Sequence, residues 1–150
     1  AAYTQEMREL FFGSYYEQSL TVKKGGRELL AALKNAHIPV ALATSTAQAS
    51  VLKELKDAGI RDYFDQVVCG DMVSHSKPHP EIFLTACAAL GAKPEKTIVI
   101  EDSYNGIRAA HAGGMMPVMV PDMLQPTGEI EKMTIAVCES LLVVKENIGL

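Results

Sequence analysis

Short apolar segments alternate with longer amphipathic segments along most of the chain, and this pattern predicts strands and helices in turn. Five apolar runs are short enough for strands that are buried on both faces: 38–43, 66–69, 97–100, 116–120 and 134–137. Between them, four segments carry apolar residues at helical spacing: 26–36, 47–58, 80–90 and 105–112. Strands that alternate with helices of this length predict an α/β fold with a doubly wound, mainly parallel, Rossmann-like sheet.

The first twenty residues differ from the rest. Residues 3–19 are rich in aromatic side chains and predict one amphipathic helix that must pack against something. This helix could be a layer of the same core, or it could be the remnant of a neighbouring domain.

Composition narrows the class of protein. The 150 residues are 48% hydrophobic, as in one ordinary globular domain. The 14 basic and 18 acidic residues form no long run of one sign, which argues against a nucleic-acid groove. Three scattered cysteines without a C-x-x-C spacing favour a reducing cytoplasm. No apolar run approaches the roughly 18–20 residues of a membrane span.

Polar residues collect where the predicted strands end, which is the edge at which open parallel sheets bind ligands. Thr44, Ser45 and Thr46 close the first strand just before a helix, so hydroxyls and backbone N–H groups suit an anion such as phosphate. Taken alone, this triplet is better explained as a helix cap.

The strand over 97–100 runs directly into Glu101, Asp102 and Ser103. Adjacent carboxylates at the end of a buried strand repel one another, and oxygen ligands at such a place suit Mg²⁺. A cap for the following helix explains the same residues about equally well.

Between these segments, two prolines stiffen a loop that carries Lys77. Its ammonium can neutralise carboxylates and phosphate, although a lone lysine in such a loop is more often a solvated surface residue. His75 and His79 flank it without a third ligand at metal spacing, which favours a loop-polar role for both.

Three segments together resemble motifs two, three and four of the haloacid dehalogenase superfamily, and most closely its β-phosphoglucomutase-like phosphatase branch. They are 41–46 (ALATST), 76–83 (SKPHPEIF) and 99–110 (VIEDSYNGIRAA). The resemblance implies that Thr44 and Ser45 bind the phosphoryl group and that Lys77 orients the nucleophile. It further implies Mg²⁺ held by Glu101 and Asp102, with Asp102 favoured as the direct ligand. Ser103 and Asn105 would shape the supporting loop.

The motif that supplies the aspartate nucleophile in this family, Asp-x-Asp after the first strand, is absent from the sequence. The resemblance therefore implies an α/β core that lacks its first central strand. We expect residues 1–20 to be the remnant of a helical cap domain, residues 21–150 to be the core, and the chain to be a C-terminal fragment that is inactive alone.

The function that the resemblance implies is Mg²⁺-dependent hydrolysis of a small phosphomonoester such as a sugar phosphate. Two alternatives stay open: a β-phosphoglucomutase-type phosphomutase, and a catalytically dead module that binds phosphate and metal. Expected partners are the phosphate ester and either a segment that carries the nucleophile or a second copy that exchanges a strand, with neither nucleic acid nor membrane.

Overall fold

The strands form one parallel sheet. The computed structural model describes residues 9–12, 25–121 and 124–150. Within these ranges the strands, in chain order, are β1 Glu9–Phe12, β2 Val40–Ala43, β3 Gln66–Val68, β4 Thr97–Glu101, β5 Met116–Met119 and β6 Ala136–Val137. They lie in the order β3-β2-β1-β4-β5-β6, and every neighbouring pair is parallel. The predicted doubly wound parallel sheet is confirmed.

Strand β1 corrects one prediction. The helix expected over 3–19 is wrong at Glu9–Phe12, which pairs with β2 on one side and β4 on the other. This strand occupies the central place that was expected to lack a strand. Three consecutive apolar residues, Leu10 to Phe12, suit a two-sided strand, and β1 satisfies backbone groups that β2 and β4 would otherwise leave unpaired. The rest of 3–19 lies outside the described residues, and the division of the chain at residue 20 stays a prediction.

Six helices connect and cover the described strands. They are α1 Gly26–Asn35, α2 Gln48–Ala58, α3 Glu81–Leu90, α4 Tyr104–Ala112, α5 Gly128–Met133 and α6 Leu141–Asn147. The first four confirm the four predicted helices to within one residue at each end. Left-handed glycines stop α2 and α3, at Gly59 and Gly91, because a glycine adopts positive φ without the cost of a Cβ clash.

Each face of the sheet has its own apolar core, because successive side chains of a strand point to opposite faces. On one face, Val40 and Leu42 of β2 pack in a cluster with leucines of α1 and α2 and with apolar residues of α6. On the other face, Ala41 and Ala43 pack in a cluster with α3 and α4, including the fully buried Phe83.

This arrangement brings the carboxyl ends of β2, β3 and β4 to one edge of the sheet, since all strands run in the same direction. None of the helices that the structure describes is long and apolar enough to cross a membrane.

Candidate functional site

The centre of the site is an ion pair between the β3–α3 loop and the end of β4. Lys77 Nζ donates to Glu101 Oε2 over 2.8 Å, and the two side chains are 7% and 0% exposed. The ammonium also lies 4.9 Å from the centre of the Phe83 ring, a distance at which a cation is attracted to the aromatic face. Lys77 is therefore not a solvated surface residue, and the structure brings it to the carboxylate pair.

The second oxygen of Glu101 organises the turn that follows β4. Glu101 Oε1 accepts from the Asp102 and Ser103 backbone N–H groups at 3.2 and 3.4 Å, and from the Ser103 hydroxyl at 3.1 Å. Ser103 Oγ in turn accepts from Gly106 N at 3.0 Å and caps α4. A Cβ on Gly106 would lie 2.1 Å from Glu101 Cδ, so a glycine is needed for this close approach.

Asp102 is the carboxylate that fits a hard cation. Its side chain is nearly buried at the carboxyl edge of the sheet, directly after Glu101. Mg²⁺ is usually held by one or two carboxylates together with waters and substrate phosphate, so this oxygen donor fits Mg²⁺. Glu101 accepts hydrogen bonds on both oxygens, and the expectation that it shares the metal stays a prediction. Asn105 is exposed and accepts a 3.4 Å hydrogen bond from Arg108.

The hydroxyl triplet forms a tight turn after β2. Thr44 is fully buried, and its Oγ1 accepts from the Thr46 N–H at 3.2 Å, while Ser45 is exposed. Helix α2 begins beyond the triplet, with Ala47 as its N-cap and no side-chain cap bond. The cap explanation of these hydroxyls is therefore wrong for α2. Phosphate binding by Thr44 and Ser45 stays a prediction.

Two residues that follow β3 shape this turn. A Cβ on Gly70 would lie 2.1 Å from the Ser45 carbonyl oxygen, so the two loops pack backbone against backbone. Gly70 N also donates to the Thr46 carbonyl at 3.0 Å. The Asp71 carboxylate accepts from Gln48 N at 3.3 Å with each of its oxygens. The protein thus places its own anion at the start of α2, where we expected backbone N–H groups to face a ligand.

A cavity of about 200 Å³ lies between these loops. It is lined by polar residues of both loops and two apolar residues, namely Ser45, Gly70, Val73, Ser74, Ser76, Lys77 and Ile82. Ser45 and Lys77, predicted from separate segments, therefore face the same space. Sequence reasoning missed Ser74 and Ser76, although two hydroxyls just before the loop lysine were a usable signal.

The loop before α3 is organised by Glu81. Its carboxylate accepts from Ser74 N at 2.9 Å and from His75 N at 2.8 Å, and it lies 2.9 Å from His75 Nδ1. The Ser74 N–H, followed by the His75 side chain, lowers the pKa of this carboxyl group below its ordinary value. The Lys77–Pro78 peptide bond in this loop is cis.

The fold and the site define a doubly wound α/β protein with a lysine and two acidic residues at the carboxyl edge of its sheet. The model of one family, described as haloacid dehalogenase-like hydrolase, matches residues 2–120. The chain belongs to this family, in its β-phosphoglucomutase-like branch.

Several known proteins are similar to this chain in sequence or in structure. A phosphorylated carbohydrates phosphatase of Thermotoga maritima is 41% identical over 100 residues, which are 67% of this chain and 46% of that protein. The structure of CbbY from Rhodobacter sphaeroides in complex with phosphate is 32% identical with a TM-score of 0.70, covering 79% of this chain and 54% of that one. The structure of a β-phosphoglucomutase from Clostridium difficile is 28% identical with a TM-score of 0.70, covering 89% of this chain and 61% of that one. The chain spans about half the length of the curated relatives it matches.

Proposed function

We propose that this chain carries the phosphate-binding and metal-binding part of a Mg²⁺-dependent phosphatase that acts on a small phosphomonoester such as a sugar phosphate. The observation that carries the proposal is the buried Lys77–Glu101 pair, which ties the lysine loop to the turn that presents Asp102. Phosphoryl transfer depends mainly on positioning and on charge neutralisation, and these residues supply both.

Substrate binding is assigned to the cavity that Ser45 and Lys77 line. Its volume of about 200 Å³ would take a phosphate group with part of the attached alcohol. The Lys77 ammonium is held by Glu101, so its positive charge has a fixed place beside a phosphoryl oxygen. Sugar phosphates are favoured as the class because relatives carry the names phosphorylated carbohydrates phosphatase and fructose-1-phosphate phosphatase.

Asp102 would hold the cation. Glu101 positions Asp102, because its carboxylate accepts a hydrogen bond from the Asp102 backbone N–H. When bound, Mg²⁺ offsets the charge of the phosphoryl oxygens and holds them in one orientation. The Lys77 ammonium would offset the charge of those phosphoryl oxygens that do not face the metal.

Turnover needs an acceptor for the phosphoryl group or a positioned water. The sequence contains no Asp-x-Asp, its first aspartate is Asp57, and residues 13–16 after β1 read GSYY. We therefore expect the 150-residue chain to bind phosphate esters without hydrolysing them. The absent motif equally favours a binding module without catalysis, and the likeness to β-phosphoglucomutase keeps a mutase as the near alternative.

The proposed protein partner is a segment that supplies the nucleophile. Such a segment would need the place between β2 and β4 that β1 occupies, so it would either displace β1 or arrive from a second copy by strand exchange. We also propose a cytoplasmic location, because the cysteines at positions 69, 87 and 138 are buried and form no disulfide.

The test is phosphate release from fructose 1-phosphate in the presence of MgCl₂, measured for the chain and for Asp102→Asn. We expect no release from either protein. Release that Asp102→Asn abolishes would support the phosphatase and overturn the expected inactivity. Release that Asp102→Asn leaves unchanged would overturn the role of Asp102.

A further inference from the structure

Two histidines and a glutamate of the β3–α3 loop lie close enough to share one metal ion. One ligand atom from each of His75, His79 and Glu81 lies within 4.8 Å of the other two. The imidazole rings are stacked, with centroids 4.6 Å apart and planes inclined by 23°. His75 Nδ1 is 2.9 Å from Glu81 Oε2, and His79 Nδ1 accepts from Glu81 N at 3.1 Å.

The sequence alone did not give the third ligand. His75 and Glu81 are six residues apart, a separation at which neither a helix nor a strand brings two side chains into contact. Only the turn through the two prolines returns the chain so that the three side chains meet. Glu81 is the first residue of α3, and its carboxylate is fixed by two backbone N–H groups of the same loop. This support holds one ligand in place before any ion arrives, which lowers the ordering cost of binding.

The donor set points to a particular class of cation. Two imidazole nitrogens and one carboxylate oxygen are typical of Zn²⁺ sites with three protein ligands, whereas Mg²⁺ prefers oxygen ligands alone. The cluster is also open to solvent, since the His75 side chain is 66% exposed and that of Glu81 is 28% exposed. An ion can therefore reach the site, and a water can complete its coordination.

A hydrogen-bonded loop without metal is the competing interpretation of the same contacts. It accounts for the short His75–Glu81 contact and for the bond from Glu81 N to His79. It does not by itself place the second imidazole against the first, as the stacked pair shows. A shared cation accounts for both rings lying together, because it binds a nitrogen of each.

We propose that His75, His79 and Glu81 form a binding site for Zn²⁺, separate from the Mg²⁺ position assigned to Asp102. Binding replaces the hydrogen between His75 Nδ1 and Glu81 Oε2. In a neutral ring that proton moves to Nε2, and in a doubly protonated ring it passes to solvent. The ion clamps the loop between residues 75 and 81, which includes Lys77 and forms one wall of the cavity. Zn²⁺ therefore stiffens the wall of the phosphate site without occupying it.

Calorimetric titration of the 150-residue chain with ZnCl₂, in a buffer that does not chelate zinc, tests the site. We expect one ion per chain, and the single variants His75→Asn and His79→Asn to weaken binding by at least about tenfold, as the loss of even an indirect partner does. His111→Asn is the matched control, because His111 is an exposed histidine in the last turn of α4 and is not one of the three ligands, so its loss should leave the affinity unchanged.

A thermal melt gives a second readout that does not depend on activity. Because Zn²⁺ binds the native state, it should raise the melting temperature of the chain and of His111→Asn, and should not raise that of the double variant His75→Asn/His79→Asn. Mg²⁺ at the same concentration should not displace the zinc. Absence of zinc binding, or equal binding by the double variant with an unchanged circular dichroism spectrum, would overturn the site.

Discussion

The charges of Lys77 and Glu101 stabilise one another, because both side chains are buried. Removing one partner of a buried ion pair leaves an uncompensated charge and costs about 3–5 kcal/mol of the free energy of unfolding. We expect Lys77→Met to lose stability by that amount and the double variant Lys77→Met/Glu101→Gln to recover most of it. Urea denaturation measures both. Lys53→Met is the control, since the Lys53 side chain is 80% exposed and should change stability by less than about 1 kcal/mol.

If Lys77→Met and Lys53→Met had equal effects, the Lys77–Glu101 contact would not contribute to stability. If the double variant were no more stable than Lys77→Met, the loss would have to come from another contact of the ammonium, such as the one with the Phe83 ring.

Gly106 leaves the space in which the Glu101 carboxylate sits. We expect Gly106→Ala to destabilise the protein by about 1–3 kcal/mol, because the added methyl overlaps a buried side chain that is itself fixed by four hydrogen bonds. Gly128→Ala is the matched control: a Cβ there meets nothing within 4 Å. Thermal melting of both variants checks the difference, and an equal shift would show that the turn after β4 tolerates the methyl.

For individual residues, the sequence predicted which residues lie at the site better than it predicted their contacts. Lys77, Glu101 and Ser103 were each expected near the carboxyl edge, since strand ends of a parallel sheet converge there. That Glu101 pairs with Lys77 through one oxygen and holds its own turn through the other depends on side-chain geometry. Glu81 as a neighbour of His75 was missed for the same reason.

The carboxylate of Asp71, which lies after β3, caps the first turn of helix α2. Because Ala47 offers no side-chain cap, Asp71 supplies the acceptor for Gln48 N, and the negative charge also suits the positive end of the helix. We expect Asp71→Ala to cost about 0.5–2 kcal/mol, as for other lost caps. Asp57→Ala is the control, since Asp57 lies at the other end of α2 in an exposed pair with Lys53. Equal losses of stability in urea would contradict the capping role.

Element prediction succeeded where periodicity was strong and local. The continuous apolar runs of β2 and β4 and the glycines that end α2 and α3 can be read from consecutive residues. Strand β1 could not be predicted in this way, because the four residues that form it lie in an aromatic-rich segment whose spacing also suits a helix. Its place depends on the gap between β2 and β4, which is a property of the whole sheet. The short α5 was missed because six residues show too little periodicity.

Across the whole molecule, the two cores leave the cysteines inside. Cys69, Cys87 and Cys138 are at most 3% exposed. Burial, and secondarily the charge of Asp71, raises the pKa of the Cys69 thiol. We expect the folded chain to react slowly with a thiolate-directed reagent and the urea-unfolded chain to react fully.

Since folded Cys69 keeps its proton to a higher pH than the unfolded thiol does, its contribution makes the free energy of unfolding fall as the pH rises past the pKa of the unfolded thiol. A thiol that reacts equally fast in both states would contradict this packing.

Calorimetric titration with inorganic phosphate tests whether Asp102 holds Mg²⁺ beside a bound phosphate. We expect MgCl₂ to strengthen phosphate binding by the chain, and Asp102→Asn to remove that gain. Asp62→Asn, a change at an exposed aspartate beside α2, should behave as the unchanged chain does. No phosphate binding, or a magnesium effect of the same size in Asp102→Asn, would show that Asp102 does not hold Mg²⁺ at a phosphate site.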